Sequence, residues 1–365
     1  MSFHPGRKVN VGVLGATGTV GQRFIQLLDN HPFFVVKTLG ASPRSAGKPY
    51  SEAAARSWKM ASPVPAHVAS LIVQNCQPEH FKDCEIIFSG LDSDVAGEIE
   101  LAFFKAEFCV FSNAKNHRMD PIVPLVVPLV NPDHLDIIPH QRQTHGLQKG
   151  FLVTNANCST TGLVPPLKAL IDRFGPISRV VVTTMQAISG AGYPGVPSLD
   201  ILGNVVPHIS GEEEKMEIEA SKILGSLNAG SSGFVDAEGL RVSASCNRVP
   251  VLDGHTESVF LEFKNQPAPS PEQVAEALSS FVSVPQTLKV PSAPAQAIVV
   301  TEKPDRPQPR LDIMEGGGNA VTVGRIRKCN IFDIKFTVLS HNTILGAAGS
   351  SIMNAEVAVA KGYVA

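Results

Sequence analysis

Residues 9–24 read VNVGVLGATGTVGQRF, and this stretch decides the fold of the first half of the chain. Val9 to Leu14 is a short run rich in β-branched residues. Glycines follow at 12, 15, 18 and 21, and Val20, Phe24, Leu27 and Leu28 then recur at helical spacing. A strand, a glycine-rich turn and a helix in this order let backbone N–H groups approach a pyrophosphate at a helix N-terminus. The turn therefore predicts a dinucleotide site, with Gly15, Thr17, Gly18, Thr19 and Val20 as cofactor contacts.

Phe34 to Leu39 reads as the second strand, and the residues just after it select the dinucleotide. An NAD site usually places Asp or Glu there to accept from the ribose 2′-hydroxyl. Here the chain runs Gly40-Ala41-Ser42-Pro43-Arg44-Ser45, with no acid. A guanidinium grips a 2′-phosphate bidentately, so Arg44 with Ser42 and Ser45 predicts NADP. Apolar runs at 70–73, 86–91 and 109–112, with a helix over 95–106, continue the alternation of strand and helix. Such alternation predicts a parallel, doubly wound sheet, with Ser89 on its cofactor side. The four prolines of 121–132 make that segment an extended connector or edge strand.

After residue 154 the texture changes. A helix is expected from about Cys158, a strand at 179–185 and a helix at 212–224 whose acidic first turn suits its dipole. Strands at 240–245, 256–263, 320–327 and 333–340 have few helices between them. This pattern predicts a mostly antiparallel sheet with helices on one face, and a last helical pattern over 344–359 can return to the first half. The fold class is α/β: a Rossmann-like cofactor domain plus an α+β domain.

Bulk properties narrow the function. A chain of 365 residues is long enough for two domains, and 43% hydrophobic with 18% charged residues is a globular balance. A net charge of -2 gives no footprint for nucleic acid or an anionic membrane. No run is apolar enough for a signal peptide or a membrane span, and six scattered cysteines without a CxxC pair disfavour disulfides and zinc. A soluble, cytoplasmic protein without a metal is expected.

Among those cysteines, Cys158 stands apart in Asn155-Ala156-Asn157-Cys158-Ser159-Thr160-Thr161, which follows a strand and opens a helix. The positive potential of a helix N-terminus stabilises a thiolate, and nearby N–H groups can stabilise an oxyanion. Cys84 and Cys109 sit beside apolar strands and read as inert; Cys246 lacks a helix start. The proton-transfer partner is sought in Arg248-Val249-Pro250-Val251-Leu252-Asp253-Gly254-His255, where a histidine between two strands can reach a cleft. His117, His140 and His208 are rivals by residue type alone. Pro165-Pro166, two turns into the helix of Cys158, predicts a short or kinked helix.

GATGTVGQRF, SNAKNHR, VPLVVPLVN, NANCSTTG, MQAISGAG, GEEEK, RVPVLDGH and NTILGAAGS occur in this order between residues 15 and 350. Together they resemble the aspartate-semialdehyde dehydrogenase family, in its archaeal and fungal branch. The resemblance implies NADPH-dependent reduction of β-aspartyl phosphate to the β-semialdehyde with release of inorganic phosphate, on the route to lysine, methionine and threonine. It implies Cys158 as nucleophile, His255 as acid/base and Gln186 as orienter of the acyl group. Arg248 would hold the substrate carboxylate and Glu212 its amine, while Lys215, Arg118 and Asn113 would hold phosphate, with Lys115 in the same loop. Ser189, Gly190 and Asn342 would line the nicotinamide. A homo-oligomer, dimer or tetramer, is implied, with residues 1–156 plus 342–365 as cofactor domain and 157–341 as catalytic and dimerisation domain.

Other readings make different demands. N-acetyl-γ-glutamyl-phosphate reductase shares the glycine turn and a Cys/His pair, but its N-acylated substrate gives Glu212 no ammonium to meet. Glyceraldehyde-3-phosphate dehydrogenase would call for the acid missing after the second strand. A catalytically silent NADP-binding sensor or scaffold has no need of an activated thiol at Cys158.

Overall fold

The computed structural model describes residues 6–364; residues 1–5 and 365, the outer ends of the expected cofactor domain, lie outside them. The first half contributes β1 (Val9–Leu14), β2 (Phe34–Ala41), β3 (Gln74–Asn75), β4 (Ile86–Ser89), β5 (Cys109–Ser112), β6 (Leu125–Val126) and β7 (Phe151–Asn155). They form one sheet in the order β3-β2-β1-β4-β5-β7-β6, and every pairing is parallel. β4, β5 and β7 are buried along their whole length, as strands covered on both faces must be. The proline-rich segment supplies only the edge strand β6.

The run 70–73 is not a strand of this sheet. Its backbone bonds instead to the loop at 47–50, through Gly47 N–H to Val73 O, Val73 N–H to Lys48 O and Tyr50 N–H to Leu71 O. Only the next two residues, β3, reach β2.

The second half adds β8 (Ile177–Gln186), a small hairpin of β9 (Ser226–Leu227) and β10 (Phe234–Val235), then β11 (Arg241–Arg248), β12 (His255–Phe263), β13 (Ile298–Thr301), β14 (Val321–Lys328) and β15 (Ile334–Ser340). Six of them form a mixed sheet, β11-β8-β12-β15-β14-β13. Its three inner pairings are antiparallel and the two outer ones, β11 with β8 and β13 with β14, are parallel. β8 and β11 run parallel because a long crossover, including the helix Glu212–Ile223, separates them.

Two helices join the halves. The helix Cys158–Phe174 leaves the first sheet after β7 and packs on β12 and β15 of the second. It passes unbroken through Pro165 and Pro166, both buried. Packing on the sheet offsets the two backbone hydrogen bonds that these prolines delete. At the other end, a π-turn at Ile344–Ala348 leads into the helix Gly349–Ala360, which lies against β4, β5 and β7. One apolar core therefore runs through both sheets, from Val11 and Phe88 to Val259 and Phe336. Among the described residues no helix is long and apolar enough to cross a membrane.

Candidate active site

The C-terminal ends of the parallel strands face one end of the mixed sheet across a cleft of about 730 Å³. β1 sits where the strand order turns back, between β2 and β4, which is where open α/β sheets bind ligands. Two glycines of the turn at this point have no room for a side chain. Gly15 has φ +71°, and a Cβ there would lie 2.6 Å from the Gly90 carbonyl; a Cβ on Gly21 would lie 2.1 Å from the Gly15 carbonyl. The helix Thr19–Leu28 starts at Gly18 with no side chain capping it, so its first N–H groups stay available to an anion. Gly15, Thr17, Gly18, Thr19 and Val20 all line the cleft. So do Ser42 and Arg44, exposed at its rim, where no acid stands. These residues fit a dinucleotide carrying a 2′-phosphate.

Two expected cofactor contacts lie elsewhere. Ser89 is fully buried at the end of β4, beside the Glu100 carboxyl, because a strand inside the sheet turns its last side chain into the core. Ser45 shares the turn of Ser42, to whose carbonyl its N–H donates, but it does not line the cleft.

The opposite wall is built from strand ends. Arg248 ends β11 in register with Gln186, which ends β8, and His255 opens β12 on the other side of β8. Arg248 and His255 thereby meet the distant Gln186 at one end of the sheet. Gly190 follows in the adjoining loop; a Cβ there would lie 3.0 Å from Arg248 Nη1 and 3.6 Å from His255 Nε2. Ser189 Oγ accepts from Asn342 Nδ2 at 2.8 Å, and Asn342 Oδ1 accepts from Gly254 N–H at 2.8 Å, which ties three loops together beside His255.

Cys158 is the first residue of its helix. The Asn157 side chain caps that helix, accepting from Ser159 N–H at 2.9 Å and Thr160 N–H at 3.2 Å. Cys158 Sγ lies 3.1 Å from His255 Nε2. Gly346 of the π-turn backs the nucleophile, since a Cβ there would approach Cys158 Cβ to 2.9 Å. The rival histidines 117, 140 and 208 make no such contact with a cysteine.

The protonation of the pair follows from its surroundings. Ala187 N–H donates to His255 Nδ1 at 3.1 Å, so the neutral ring carries its proton on Nε2, directed at sulfur. An imidazolium would set N–H against N–H at that contact. Burial, and then the Arg248 charge, push His255 down to about 3. Burial, and then the Glu212 carboxylate, push the Cys158 thiol up to about 12, against the pull of Arg248, Lys215 and Arg118. A thiolate therefore depends on those three cations, the helix start and the Nε2–H donor.

The helix Glu212–Ile223 carries Glu212, Lys215, Glu219 and Lys222 on one stripe, of which the first two line the cleft. Glu212 is buried; burial alone would raise its carboxyl, but Lys215 at 2.8 Å and the Asn157 amide hold it below the usual carboxylate range. Glu219 receives Arg118 Nη1 at 2.8 Å and the Asn157 N–H at 2.6 Å. Lys222 Nζ donates to the carbonyls of Arg118, Asp120 and Val123, pinning the Arg118 loop from below. Neither Glu219 nor Lys222 was expected from the sequence, though their spacing from Glu212 and Lys215 put them on the same helix face. Lys115 and Arg118 line the cleft. Asn113 lines it too, but its amide is turned inward: Nδ2 donates to Ser89 O and Ser351 Oγ, and Oδ1 accepts from Asn155. What it offers Arg118 is its carbonyl, at 2.8 Å from Nη2.

The chain is similar to known proteins along nearly its whole length. Residues 10–138 match the family model for the semialdehyde dehydrogenase NAD binding domain, and residues 167–345 match that for the semialdehyde dehydrogenase dimerisation domain. The chain is 59% identical over 359 residues to an aspartate-semialdehyde dehydrogenase of Trichophyton rubrum, covering 98% of this chain and 99% of that one. It is 50% identical over 351 residues to the enzyme of that name from Methanothermobacter thermautotrophicus, covering 96% and 98%. A crystal structure of aspartate semialdehyde dehydrogenase with NADP from Candida albicans superposes with a TM-score of 0.91 at 51% identity, covering 98% of this chain and 100% of that one. A glycine turn for the dinucleotide, a cysteine–histidine pair across the cleft and full-length identity to fungal and archaeal relatives lead to one conclusion: the chain belongs to the aspartate-semialdehyde dehydrogenase family.

Proposed function

We propose that the protein catalyses the reversible, NADPH-dependent reduction of L-aspartyl 4-phosphate to L-aspartate 4-semialdehyde with release of inorganic phosphate, through a thioester on Cys158. The observation that carries this reading is the 3.1 Å contact of buried His255 Nε2 with Sγ of Cys158, which lines the same cleft as the glycine turn.

In the reducing direction Cys158 attacks the acyl carbon as the thiolate, its proton having passed to solvent: a C–S bond forms, the C–O bond to phosphate breaks, and phosphate departs toward Lys215 and Arg118. Splitting the reaction this way replaces one difficult step with two easier ones. Arg248 grips the substrate carboxylate, Glu212 receives its ammonium, and Gln186 orients the acyl oxygen. A bound NADPH, held at the glycine turn and Arg44 with Ser189, Gly190 and Asn342 toward its nicotinamide, supplies the hydride. His255 donates an Nε2–H hydrogen bond to the thiohemiacetal oxyanion; as the C=O re-forms and the C–S bond breaks, the aldehyde leaves and the same N–H turns back to the Cys158 thiolate. Gln186 and Arg248 share a strand register, so the carboxylate anchor and the acyl carbon keep a fixed spacing.

We assign residues 1–156 with 342–365 to cofactor binding and 157–341 to catalysis and self-association. The outer face of the mixed sheet, with Val181 and Phe260 half-buried and Met185 exposed, suits a second copy of the chain, giving a homodimer or a pair of dimers. Six free cysteines suit the cytoplasm. The test is steady-state NADPH formation from L-aspartate 4-semialdehyde and NADP, which must require inorganic phosphate beyond the first turnover. Preference for the N-acetylglutamyl substrate in the same assay would favour the reductase alternative.

A further inference from the structure

Behind the reacting pair lies a second set of polar groups that the chemistry above does not use. Glu257, two residues after His255 on the same face of β12, is completely buried. Neither of its carboxyl oxygens has a hydrogen-bonding partner among the described residues. The Ser340 hydroxyl, on the residue paired with His255 across β15, is buried and equally without a partner. Both face Gly162, one helical turn after Cys158. The position a Cβ would take on Gly162 lies 2.3 Å from Ser340 Oγ and 3.6 Å from Glu257 Oε1. At most about 6 Å thus separates the two oxygens, a gap that one bridging water spans with ordinary hydrogen bonds. Pro166 cannot donate to the Gly162 carbonyl, which leaves that acceptor without its helical N–H.

Burying a carboxyl without partners costs several kcal/mol, and native proteins satisfy such groups with ordered water. We propose that Glu257, Ser340 and Gly162 enclose an internal water site behind Cys158, and that Glu257 belongs to it as a neutral carboxylic acid donating into the site. The titratable groups on this inner face are His255 on β12, Cys158 on the overlying helix, and Cys246 and Arg248 on β11, beyond Thr184 and Gln186. Arg248, the cation among them, donates to the Ala187 carbonyl and lines the cleft, and it makes no hydrogen bond to Glu257. Burial holds the Glu257 carboxyl well above the usual carboxylate range, in keeping with the neutral form. Thr184, paired with Glu257 across β8, also accepts from Gln186 Nε2 at 3.3 Å, so the site supports the wall on which Gln186 and His255 stand. Glu257 is accordingly a positioning residue. A second anion there would oppose the negative charge that forms on Cys158, which gives a neutral acid its use at this point.

The test combines a spectrum, a crystal structure and two variants of the full-length protein. Infrared difference spectra of wild type against Glu257→Gln at neutral pH should contain the C=O stretch of one protonated carboxyl, and a crystal structure should contain a water bridging Glu257 and Ser340. Glu257→Gln, which keeps a neutral donor and acceptor, should retain kcat within about twofold. Glu257→Leu, which orphans the water and Ser340, should lose about tenfold. A raised folded pKa gives stability that is complete below the unfolded value of about 4.3 and is lost as pH rises through the folded value. Glu257→Gln should therefore gain stability relative to wild type as pH rises above ~4. A carboxylate band at neutral pH, a monovalent cation in place of the water, or a Glu257→Gln variant that weakens relative to wild type as pH rises would overturn the proposal. If Glu257→Leu does not fold, the spectrum and the wild-type structure still decide.

Discussion

Cys158 and His255 are separated by 97 residues in the chain and by 3.1 Å in the fold. The contact exists because the cysteine opens a helix leaving the parallel sheet while the histidine opens a strand of the mixed sheet. It depends equally on the Ala187 N–H, which fixes the tautomer of the ring.

Removing the imidazole should therefore cost turnover rather than cofactor binding. His255→Ala is expected to lower kcat by about 10²–10⁴-fold, the usual range for a general acid or base, with NADPH affinity unchanged by fluorescence titration. Burial holds His255 neutral and the thiol protonated, so kcat/KM for the semialdehyde should climb with pH from about 6 to about 9. It should show no break near 6.5, the ordinary imidazole value. Stability carries the matching sign: a histidine pushed down to about 3 binds no proton in the fold where the unfolded chain does. Its contribution is lost as pH falls from about 6.5 toward 3. A sharp break in the rate profile at 6.5 would mean that His255 titrates as though in water.

Cofactor choice rests on the rim of the glycine turn. Arg44→Ala should reduce the preference for NADPH over NADH by about 10–100-fold, since a charged hydrogen bond contributes roughly 1.5–3 kcal/mol. Initial rates with the two cofactors measure this, and an unchanged ratio would assign the 2′-phosphate to other residues.

Glu219 joins the Arg118 guanidinium to the backbone N–H before the nucleophile. Glu219→Gln leaves a buried arginine without its counter-charge, a change that typically costs about 3–5 kcal/mol. The variant should be less stable to urea, and its KM for phosphate should rise more than its KM for NADP. A rise confined to NADP would place Arg118 on the cofactor side.

Thiol chemistry needs a background correction. Burial opposes ionisation of Cys329, but the N–H groups of Ile331 and Phe332, the Lys335 charge and the Asn330 N–H together bring its thiol below the ordinary value. Iodoacetamide at neutral pH should label Cys329 whether or not substrate is present, and Cys329→Ser should abolish that signal. Protection of Cys158 by substrate is then read by peptide mapping in the Cys329→Ser protein.

Much of the fold and the site was legible in the sequence because the signals were local. The glycine turn, the missing acid after β2 and the helix opening at Cys158 each need only a few neighbouring residues. Long-range packing was not legible. The run 70–73 has the composition of a strand, but hydrogen bonds to the loop at 47–50 claim its backbone. Ser89, the last residue of β4, and Asn113, just after β5, turn their side chains inward, because β-strand alternation and the returning C-terminal helix decide which way they point. Pro165 and Pro166 look like helix breakers until the sheet beneath them is known. Glu219 and Lys222 were readable in principle, being spaced to share the face of Glu212 and Lys215, yet which partners that face meets is a tertiary fact.

The acyl group on sulfur can be caught directly. Mixing the protein with L-aspartate 4-semialdehyde and NADP, with inorganic phosphate rigorously removed, should form about one NADPH per active site, the burst expected of covalent catalysis. Mass spectrometry should then find an aspartyl adduct on the peptide containing Cys158, and added phosphate should discharge it. An equivalent of NADPH with Cys158 unmodified, or an adduct on another residue, would contradict the thioester.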